Sequence, residues 1–274
     1  MIFVLNNNFT SSILRGEHIA AALKTRCYFG DLCGTRNDKV VIVKEADRGL
    51  VEDAKERSNQ VIYDVIDYYC YKDRTCAFAD LVDVLIVPHK ACVDFYREHF
   101  PNAAMKIIPH QWDYRITGRA PQDYCRTAYI GKGFNKPEFW AGEAVCNSAQ
   151  FLQAAPLFNL HIALQPRHAK AVLLKPSTKI STAAAVGANA VTWDDPGAVE
   201  LLGSDYPYIV RIGEEPHEAI RMAQRDFGSR RWKDARDRMR SVRESTSLEA
   251  VAALYRQLAD GAIDGQKTAN RMAA

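Results

Sequence analysis

The sequence predicts an α/β protein made of two Rossmann-like halves, and three observations lead to this prediction. Short apolar strand patterns alternate with helical patterns over roughly residues 1–115. The same alternation resumes at Ala128 and continues to Val210. A polar stretch that contains Gly118 and Pro121 separates the two runs and is typical of a linker. Strands that alternate with helices form βαβ units, so we expect a largely parallel sheet in each half.

The first half is expected to form a domain over residues 1–115. Its apolar runs of four to six residues predict five strands: Ile2–Leu5, Lys39–Lys44, Val61–Ile66, Val84–Val87 and Lys106–Pro109. The segments between them have helical patterns: Ser12–Leu23, Leu50–Ser58, Thr75–Leu81 and Lys90–Phe100. Because no GxGxxG follows the first strand, a dinucleotide-binding oxidoreductase is disfavoured.

The second half is expected to form a domain over residues 125–262, after a connector at 113–124. Its strand patterns lie near residues 128–133, 160–164, 190–193 and 208–210. From Pro216 to about Asp260 the pattern is strongly helical. We therefore expect long helices at the C-terminal end of this domain.

Composition and charge exclude several classes of protein. The 274 residues are 47% hydrophobic and 25% charged, which is ordinary for a globular chain, and the net charge of +3 gives no reason to expect a nucleic-acid partner. The seven cysteines form no CxxC pair, so neither a zinc site nor a disulfide framework is indicated. The first residues lack a basic region, and no apolar run reaches the roughly 20 residues that span a bilayer. We expect a cytoplasmic protein.

The most informative segment runs from Lys175 to Val191 and includes Lys175, Ser177, Thr178 and Lys179 before an alanine-rich helix pattern that ends at Gly187. Two lysines and two hydroxyls thus lie where a helix begins. A helix N-terminus has unpaired N–H groups and the positive end of the helix dipole, which favour an anion such as phosphate. The alternative is an ordinary helix start with proline in the first turn and a hydroxyl cap.

This segment resembles the Lys-Pro-x-x-Lys segment of GT-B-fold glycosyltransferases, in particular the family 4-like, or group 1, enzymes. There the segment approaches the diphosphate of a nucleotide-sugar donor. The resemblance implies two Rossmann-like domains that face each other across a cleft, with the acceptor bound by the N-terminal domain and the donor by the C-terminal one. It also implies a glycan or glycolipid acceptor and no cofactor, since the nucleotide-sugar is a substrate.

Further donor contacts are expected in loops that follow strands of the second half. Gly131 and Lys132 follow the first of these strands, as in the strand–glycine–lysine pattern that opens GT-B C-domains. Arg167 follows the next strand, and its guanidinium suits a diphosphate. Glu200 lies in a Gly-x-x-Glu-Leu-Leu stretch that resembles the family segment near the donor nucleotide. The alternative for the two loops is an ordinary solvated turn.

Candidate catalytic and acceptor-binding residues lie in the first half. Asp67 ends a Tyr-Asp-x-x-Asp strand that resembles many GT-B N-terminal domains, and His110 follows the last strand of this half. Either could serve as the base for the acceptor hydroxyl; the alternatives are a turn-capping carboxylate and a histidine that only hydrogen-bonds backbone at the domain junction. Ser11 and Arg15, at the start of the first helix, are candidate acceptor contacts, and a plain serine cap is the alternative.

Two departures from the family leave activity open. The Glu-x7-Glu motif of the retaining family-four enzymes is absent, because Thr182 stands near the position of its second glutamate. The region from Glu138 to Asn159 is also brief for the start of a C-domain. A non-catalytic domain that binds a nucleotide or glycan is therefore the alternative function. No Asp-x-Asp ends a strand, so we expect no metal requirement.

A basic segment in the C-terminal part offers a further interpretation. Residues 221–243 carry nine lysines and arginines against three aspartates: Arg221, Arg225, Arg230, Arg231, Lys233, Arg236, Arg238, Arg240 and Arg243. A basic amphipathic helix can bind an anionic membrane surface, which would suit a lipid-linked acceptor. The alternative is a solvated helix whose arginines pair with nearby carboxylates.

Overall fold

A computed structural model describes residues 1–57, 59–67, 77–147, 150–166 and 173–261. The chain divides into two compact units. The first unit contains Met1–His110, the short segment Leu174–Pro176 and the described chain from Leu248 onward. The second contains the described parts of Gln111–Leu173 and Ser177–Ser247. The final helix thus belongs to the first unit, which differs from the sequence-based domain of 125–262.

The first unit is built on a six-stranded parallel sheet with the strand order β2-β1-β3-β4-β5-β6. Its inner strands are made mainly of β-branched and other apolar residues, which are buried on both faces. The strands are β1 (Ile2–Leu5), β2 (Cys27–Phe29), β3 (Lys39–Val43), β4 (Gln60–Asp64), β5 (Val84–Val87) and β6 (Ala104–Ile107).

The helices of the first unit include a π-helical turn. After β1 the chain forms α1 (Thr10–Ile13), the π-helical turn Leu14–His18 and α2 (Ile19–Leu23) without a break. Such turns are rare in proteins, and those that occur often lie at functional sites. The remaining helices are α3 (Arg48–Glu56), α4 (Cys92–His99) and the last helix, numbered α10 (Leu248–Ala259). α10 packs against α2, and Val251, Ala252 and Tyr255 enter the core of the first unit.

The second unit has a five-stranded parallel sheet with the order β11-β10-β9-β7-β8. Its strands are β7 (Thr127–Ile130), β8 (Ala144–Val145), β9 (Leu160–Ile162), β10 (Asn189–Trp193) and β11 (Ile209–Val210). Its helices are α5 (Phe151–Ala154), α6 (Thr178–Val186), α7 (Pro196–Leu202), α8 (Pro216–Arg225) and α9 (Arg230–Ser245). α9 packs against α6, and Trp232, Ala235, Met239 and Val242 join the unit's core.

The predicted α/β class with two parallel sheets is confirmed. The alanine-rich helix ends where expected, at Gly187, which has a left-handed φ of 74°. Strands β2 and β8 were not predicted, because three- and two-residue edge strands have no clear periodicity. The helix expected at Thr75–Leu81 lies partly outside the described residues, and its described part has a 3₁₀ turn at Ala79–Leu81. No helix in the described ranges has the length and apolar character needed to span a membrane.

Candidate functional site

In the second unit, Lys179 on the first turn of α6 contacts the end of strand β7. Its ammonium donates hydrogen bonds to the Tyr129 hydroxyl (3.1 Å) and to the Ile130 carbonyl (3.2 Å). The same nitrogen lies 4.3 Å from the centre of the Tyr129 ring, within the range of a cation–π interaction. These contacts hold a positive charge between the carboxyl end of a strand and the N-terminus of a helix.

Gly131 makes this arrangement possible. It has a φ of 156°, and a Cβ at this position would overlap the Lys179 ammonium and lie 2.9 Å from the Tyr129 hydroxyl. A side chain would therefore displace the lysine. The structure brings together two sequence features that lie far apart in the chain, the strand–glycine pattern and the lysine segment.

The first turn of α6 has the features of an anion site. Ser177 is the N-cap residue, but its side chain makes no capping hydrogen bond, and the half-buried Thr178 follows it. The first N–H groups of a helix have no intrahelical acceptor, so in the absence of a cap they can serve a ligand. Ser177, Thr178 and Lys179 thus present hydroxyl, N–H and ammonium donors within one turn.

Tyr129 is a residue of this site that sequence reasoning missed. Burial raises the pKa of its phenol, so the hydroxyl stays protonated and donates to the Lys132 carbonyl (2.9 Å) while it accepts from Lys179. Tyr129 thereby links the helix start to the loop after β7. The available signal was an aromatic residue two positions before Gly131 at the end of a strand.

The other predicted donor contacts are less closely grouped. Lys132 is exposed, and its ammonium lies 5.7 Å from the ring centre of Phe134. Glu200 is exposed on α7. Arg167 lies outside the described residues. Lys175 belongs to the first unit, where burial, opposed by Asp67, lowers the pKa of its ammonium.

Beneath this site, His161 on β9 has a structural role. Its Nε2 lies 3.1 Å from the Ala155 carbonyl, and the ring is buried. Burial lowers the pKa of His161 to about 4, so the imidazole is neutral near neutral pH. A neutral ring adds no further positive charge next to Lys179.

In the first unit, Ser11, Lys44 and Asp67 form a second polar group near the carboxyl ends of β3 and β4. The Lys44 ammonium donates to the Ser11 hydroxyl (2.9 Å) and pairs with the Asp67 carboxylate (3.3 Å). It also lies 5.3 Å from the ring centre of Phe9, which is partly exposed. Lys44 was predicted only as a strand end, although a lysine there in a parallel sheet is a signal for a site.

The environment of Asp67 suits a reactive carboxyl. Burial raises its pKa, although Lys44 and Lys175 act in the opposite direction. Its side chain keeps 23% of its surface exposed, but its Oδ1 is buried and has no hydrogen-bond partner within the described ranges. The preceding residue, Ile66, has a φ of 53°, a left-handed conformation that is strained for a β-branched residue. Strain of this kind clusters at functional sites.

Arg15 lies on the π-helical turn but is only 1% exposed. Its guanidinium pairs with Asp64 (2.7 Å) and donates to the carbonyls of Ile108 (2.8 Å) and Pro109 (2.6 Å). The Tyr255 hydroxyl also donates to Asp64. Burial lowers the pKa of Arg15, but Asp64 and Tyr255 outweigh that effect and the net pKa is raised. The structure thus gives Arg15 a buried structural role in place of the expected surface contact with an acceptor, because its donors already face these internal partners.

His110, the other candidate base, ends the first unit and is 4% exposed. Its catalytic role stays a prediction, as does that of Asp67.

No group of three metal-ligating side chains occurs in the part of the chain that the structure describes. The expectation that no metal is needed also stays a prediction.

Comparison with solved structures identifies the fold. No protein-family model matches the chain, and no curated protein matches it in sequence. The crystal structure of a glycosyltransferase from Rickettsia africae superimposes with a TM-score of 0.63 at 9% identity, over 96% of this chain and 99% of that one. AviGT4, a glycosyltransferase involved in avilamycin A biosynthesis, gives 0.57 at 12% identity, over 95% and 99%. The chain has the GT-B fold.

Other GT-B neighbours differ in how much of their length is matched. Anabaena HepE, solved in complex with UDP, has a TM-score of 0.55 at 10% identity over 96% of this chain and 99% of that chain. Pneumococcal GtfA is matched with a TM-score of 0.54 at 11% identity over 91% of this chain but only 61% of its own length, and the GtfA/B complex over 58%. The chain therefore spans about three fifths of these larger neighbours.

Proposed function

We propose that this protein is a glycosyltransferase that moves a sugar from a nucleotide-diphosphate sugar to a glycan or glycolipid acceptor without a metal ion. The position of Lys179 carries the proposal. Lys179 and an uncapped helix start lie at the carboxyl end of a parallel sheet, which is where open α/β sheets bind ligands. Two neighbours support a nucleotide-sugar donor: pneumococcal GtfA was solved in complex with UDP and GlcNAc, and Anabaena HepE in complex with UDP and glucose.

The second unit would stabilise the leaving diphosphate. Breaking the bond between the sugar and the diphosphate leaves negative charge on a phosphate oxygen. Lys179, the hydroxyls of Ser177 and Thr178 and the first N–H groups of α6 are the donors for that charge. Tyr129 and the Ile130 carbonyl hold Lys179 in place before substrate arrives, so little reorganisation is needed. Cationic and backbone donors of this kind would make a metal ion unnecessary.

The first unit would activate the acceptor. Asp67 is the better candidate base, because burial raises its pKa above that of an ordinary carboxyl and its side chain remains partly exposed. Lys44, paired with Oδ2, would hold the carboxylate in place while it accepts the proton of the acceptor hydroxyl. His110 is the second candidate base, and Ser11 a candidate contact to the acceptor.

Substitution of Lys179 tests the proposal. A charge-assisted hydrogen bond contributes about 1.5–3 kcal/mol, so Lys179→Ala should weaken binding of the matching nucleoside diphosphate by roughly tenfold to a hundredfold. The measurement is calorimetric titration of UDP and GDP, chosen after a thermal-shift screen of nucleotide-sugars. Lys233→Ala, at an exposed position on α9, is the matched control. Unchanged affinity in Lys179→Ala, for a nucleotide that the wild type clearly binds, would remove the main support for the proposal.

The alternative is a GT-B-like module that binds a nucleotide or glycan without turnover. One observation favours it: Thr182, near the place of the second glutamate of the Glu-x7-Glu motif, is buried within α6 and offers no carboxylate. Slow hydrolysis of the donor in the absence of acceptor separates the two functions. An active enzyme releases the nucleoside diphosphate over time, whereas a binding module returns the donor intact.

A further inference from the structure

A second group of positive charges lies in the second unit, formed by Arg119, Arg236 and Arg243, which we call the arginine cluster. Arg236 and Arg243 are seven residues apart on α9, so they lie on the same face, two turns from each other. Arg119 follows Gly118 in the connector. Its charge acts on both. Burial, Arg240 and Arg119 lower the pKa of Arg236 while Asp237 raises it. Burial and Arg119 lower the pKa of Arg243 while Glu244 raises it.

The fold fixes Arg119 at the C-terminal end of α6. A Cβ at Gly187 would lie 3.5 Å from the Arg119 guanidinium, and the N–H of Ala120 donates to the Val186 carbonyl (2.9 Å). The negative end of a helix dipole favours a cation at this place. Lys179 lies on the first turn of the same nine-residue helix, about 12 Å from Gly187 along the axis. The arginine cluster is therefore distinct from the candidate donor site.

The arginines of the cluster differ from the other arginines of α9 in their ion-pair partners. Four arginines of this helix pair with aspartates: Arg230 with Asp234 (3.8 Å), Arg231 with Asp226 (3.3 Å), Arg238 with Asp205 (2.8 Å) and Arg240 with Asp237 (2.8 Å). Within the described ranges, no carboxylate lies within 4 Å of the guanidinium groups of Arg119, Arg236 or Arg243. Arg236 donates instead to the neutral Gln122 side chain.

We propose that the arginine cluster binds phosphate groups, supplied either by the headgroups of anionic lipids or by a soluble diphosphate. Guanidinium forks match phosphate oxygens, and arginines that lie near other positive charges, with no carboxylate within ion-pair distance in the described ranges, gain most from an external anion. Arg236 and Arg243 are about 10 Å apart along the helix, which is too far for one phosphate to contact both. The spacing favours a ligand with two or more phosphates, such as an array of headgroups.

Two triple variants with the same change in net charge test this proposal. The cluster variant carries Arg119→Gln, Arg236→Gln and Arg243→Gln. The matched control carries Arg230→Gln, Arg231→Gln and Arg238→Gln, which removes three arginines that already have aspartate partners. Binding is measured by cosedimentation with phosphatidylcholine vesicles, with and without phosphatidylserine, and by calorimetric titration of inorganic pyrophosphate. Circular dichroism confirms that both variants are folded.

We expect the wild type to bind at least one of the two probes, and the cluster variant to lose about fivefold in affinity per arginine, roughly a hundredfold in all. The control variant should lose much less. Binding to phosphatidylserine vesicles that the cluster variant loses identifies lipid headgroups as the source. Pyrophosphate binding that the cluster variant loses and Lys179→Ala keeps identifies a soluble diphosphate. Equal losses in the two variants, or no binding of either probe by the wild type, would overturn the proposal. Lys179→Ala should keep the vesicle binding, so failure of the proposed transferase function would be seen separately.

Discussion

The ammonium group of Lys179 lies over the Tyr129 ring at 4.3 Å and donates to the hydroxyl of the same residue. One aromatic side chain thus provides both a cation–π surface and an acceptor for the lysine. Because Tyr129 also donates to the Lys132 backbone, the loop after β7 and the start of α6 are held together. A lysine side chain fixed in this way is preorganised for an anion, so it loses little conformational entropy on binding.

Gly131→Ala should disturb this arrangement more than any nearby glycine substitution. The new methyl group would overlap the Lys179 ammonium, and φ is positive at this position. We expect a loss of about 1–3 kcal/mol in unfolding free energy and roughly tenfold weaker binding of the nucleoside diphosphate.

Gly133→Ala is the matched control for this substitution. A Cβ at Gly133 would meet Cys146 at 3.7 Å, which is an ordinary contact, so the change in unfolding free energy should stay within about 0.5 kcal/mol. Urea unfolding and calorimetric titration provide the two measurements. If both alanine variants behave alike, Gly131 is not what positions Lys179.

Arg15→Ala should strongly destabilise the first unit. The guanidinium and Asp64 are both almost completely buried, and removal of one partner leaves the other charge without compensation in the core. The expected loss is about 3–5 kcal/mol of unfolding free energy, measured by chemical denaturation.

The exposed pair of Arg97 and Asp94 in the same unit provides the comparison, because these side chains keep 61% and 94% of their surface. Exposed pairs contribute little, so Arg97→Ala should cost less than about 1 kcal/mol. A small effect of Arg15→Ala, similar to that of Arg97→Ala, would return Arg15 to the list of candidate ligand contacts.

Patterns within short segments predicted most of the fold. The inner strands and α6 with its terminal Gly187 follow from local periodicity and punctuation, and so does the presence of a lysine at a helix start. Contacts between distant residues could not be predicted in this way. The burial of Arg15 depends on Asp64 and Tyr255, which are 49 and 240 positions away in the chain. Tyr129 and Lys44 were missed for a related reason: their roles depend on side chains from distant parts of the chain, Lys179 for Tyr129 and Ser11 and Asp67 for Lys44.

The unit to which the last helix belongs also depends on contacts between residues that are far apart in the chain. α10 is amphipathic, but an apolar helical face does not identify the sheet that it covers. In the structure its apolar side chains lie beside Phe3 and Val41, in the core of the first unit. The sequence-based domain boundary therefore followed chain order, whereas the structural unit is discontinuous.

Asp67→Asn tests both the electrostatics of the first unit and the proposed base. Burial raises the carboxyl pKa above its ordinary value of 3.8, so the folded protein binds a proton more tightly than the unfolded chain. The stability that this provides is present at low pH and is lost as pH rises through the raised pKa. The wild type should therefore lose stability relative to Asp67→Asn as pH rises from about 4 toward neutrality. Denaturant unfolding of both proteins across this range measures their relative stability, and a wild type that gains stability relative to Asp67→Asn as pH rises would contradict the raised pKa.

The same variant separates the role of the base from donor binding. If Asp67 takes the proton of the attacking hydroxyl or water, Asp67→Asn should slow donor hydrolysis by about 10²–10⁴-fold, because asparagine cannot accept that proton. Donor affinity should be unchanged within about twofold, since the diphosphate contacts proposed for Lys179 remain. His110→Gln, measured in parallel, distinguishes the two candidate bases: the one whose removal causes the larger loss of turnover at constant donor affinity is the base. Normal turnover in Asp67→Asn would eliminate Asp67, and the Ser11–Lys44–Asp67 group would then be left with a structural role alone.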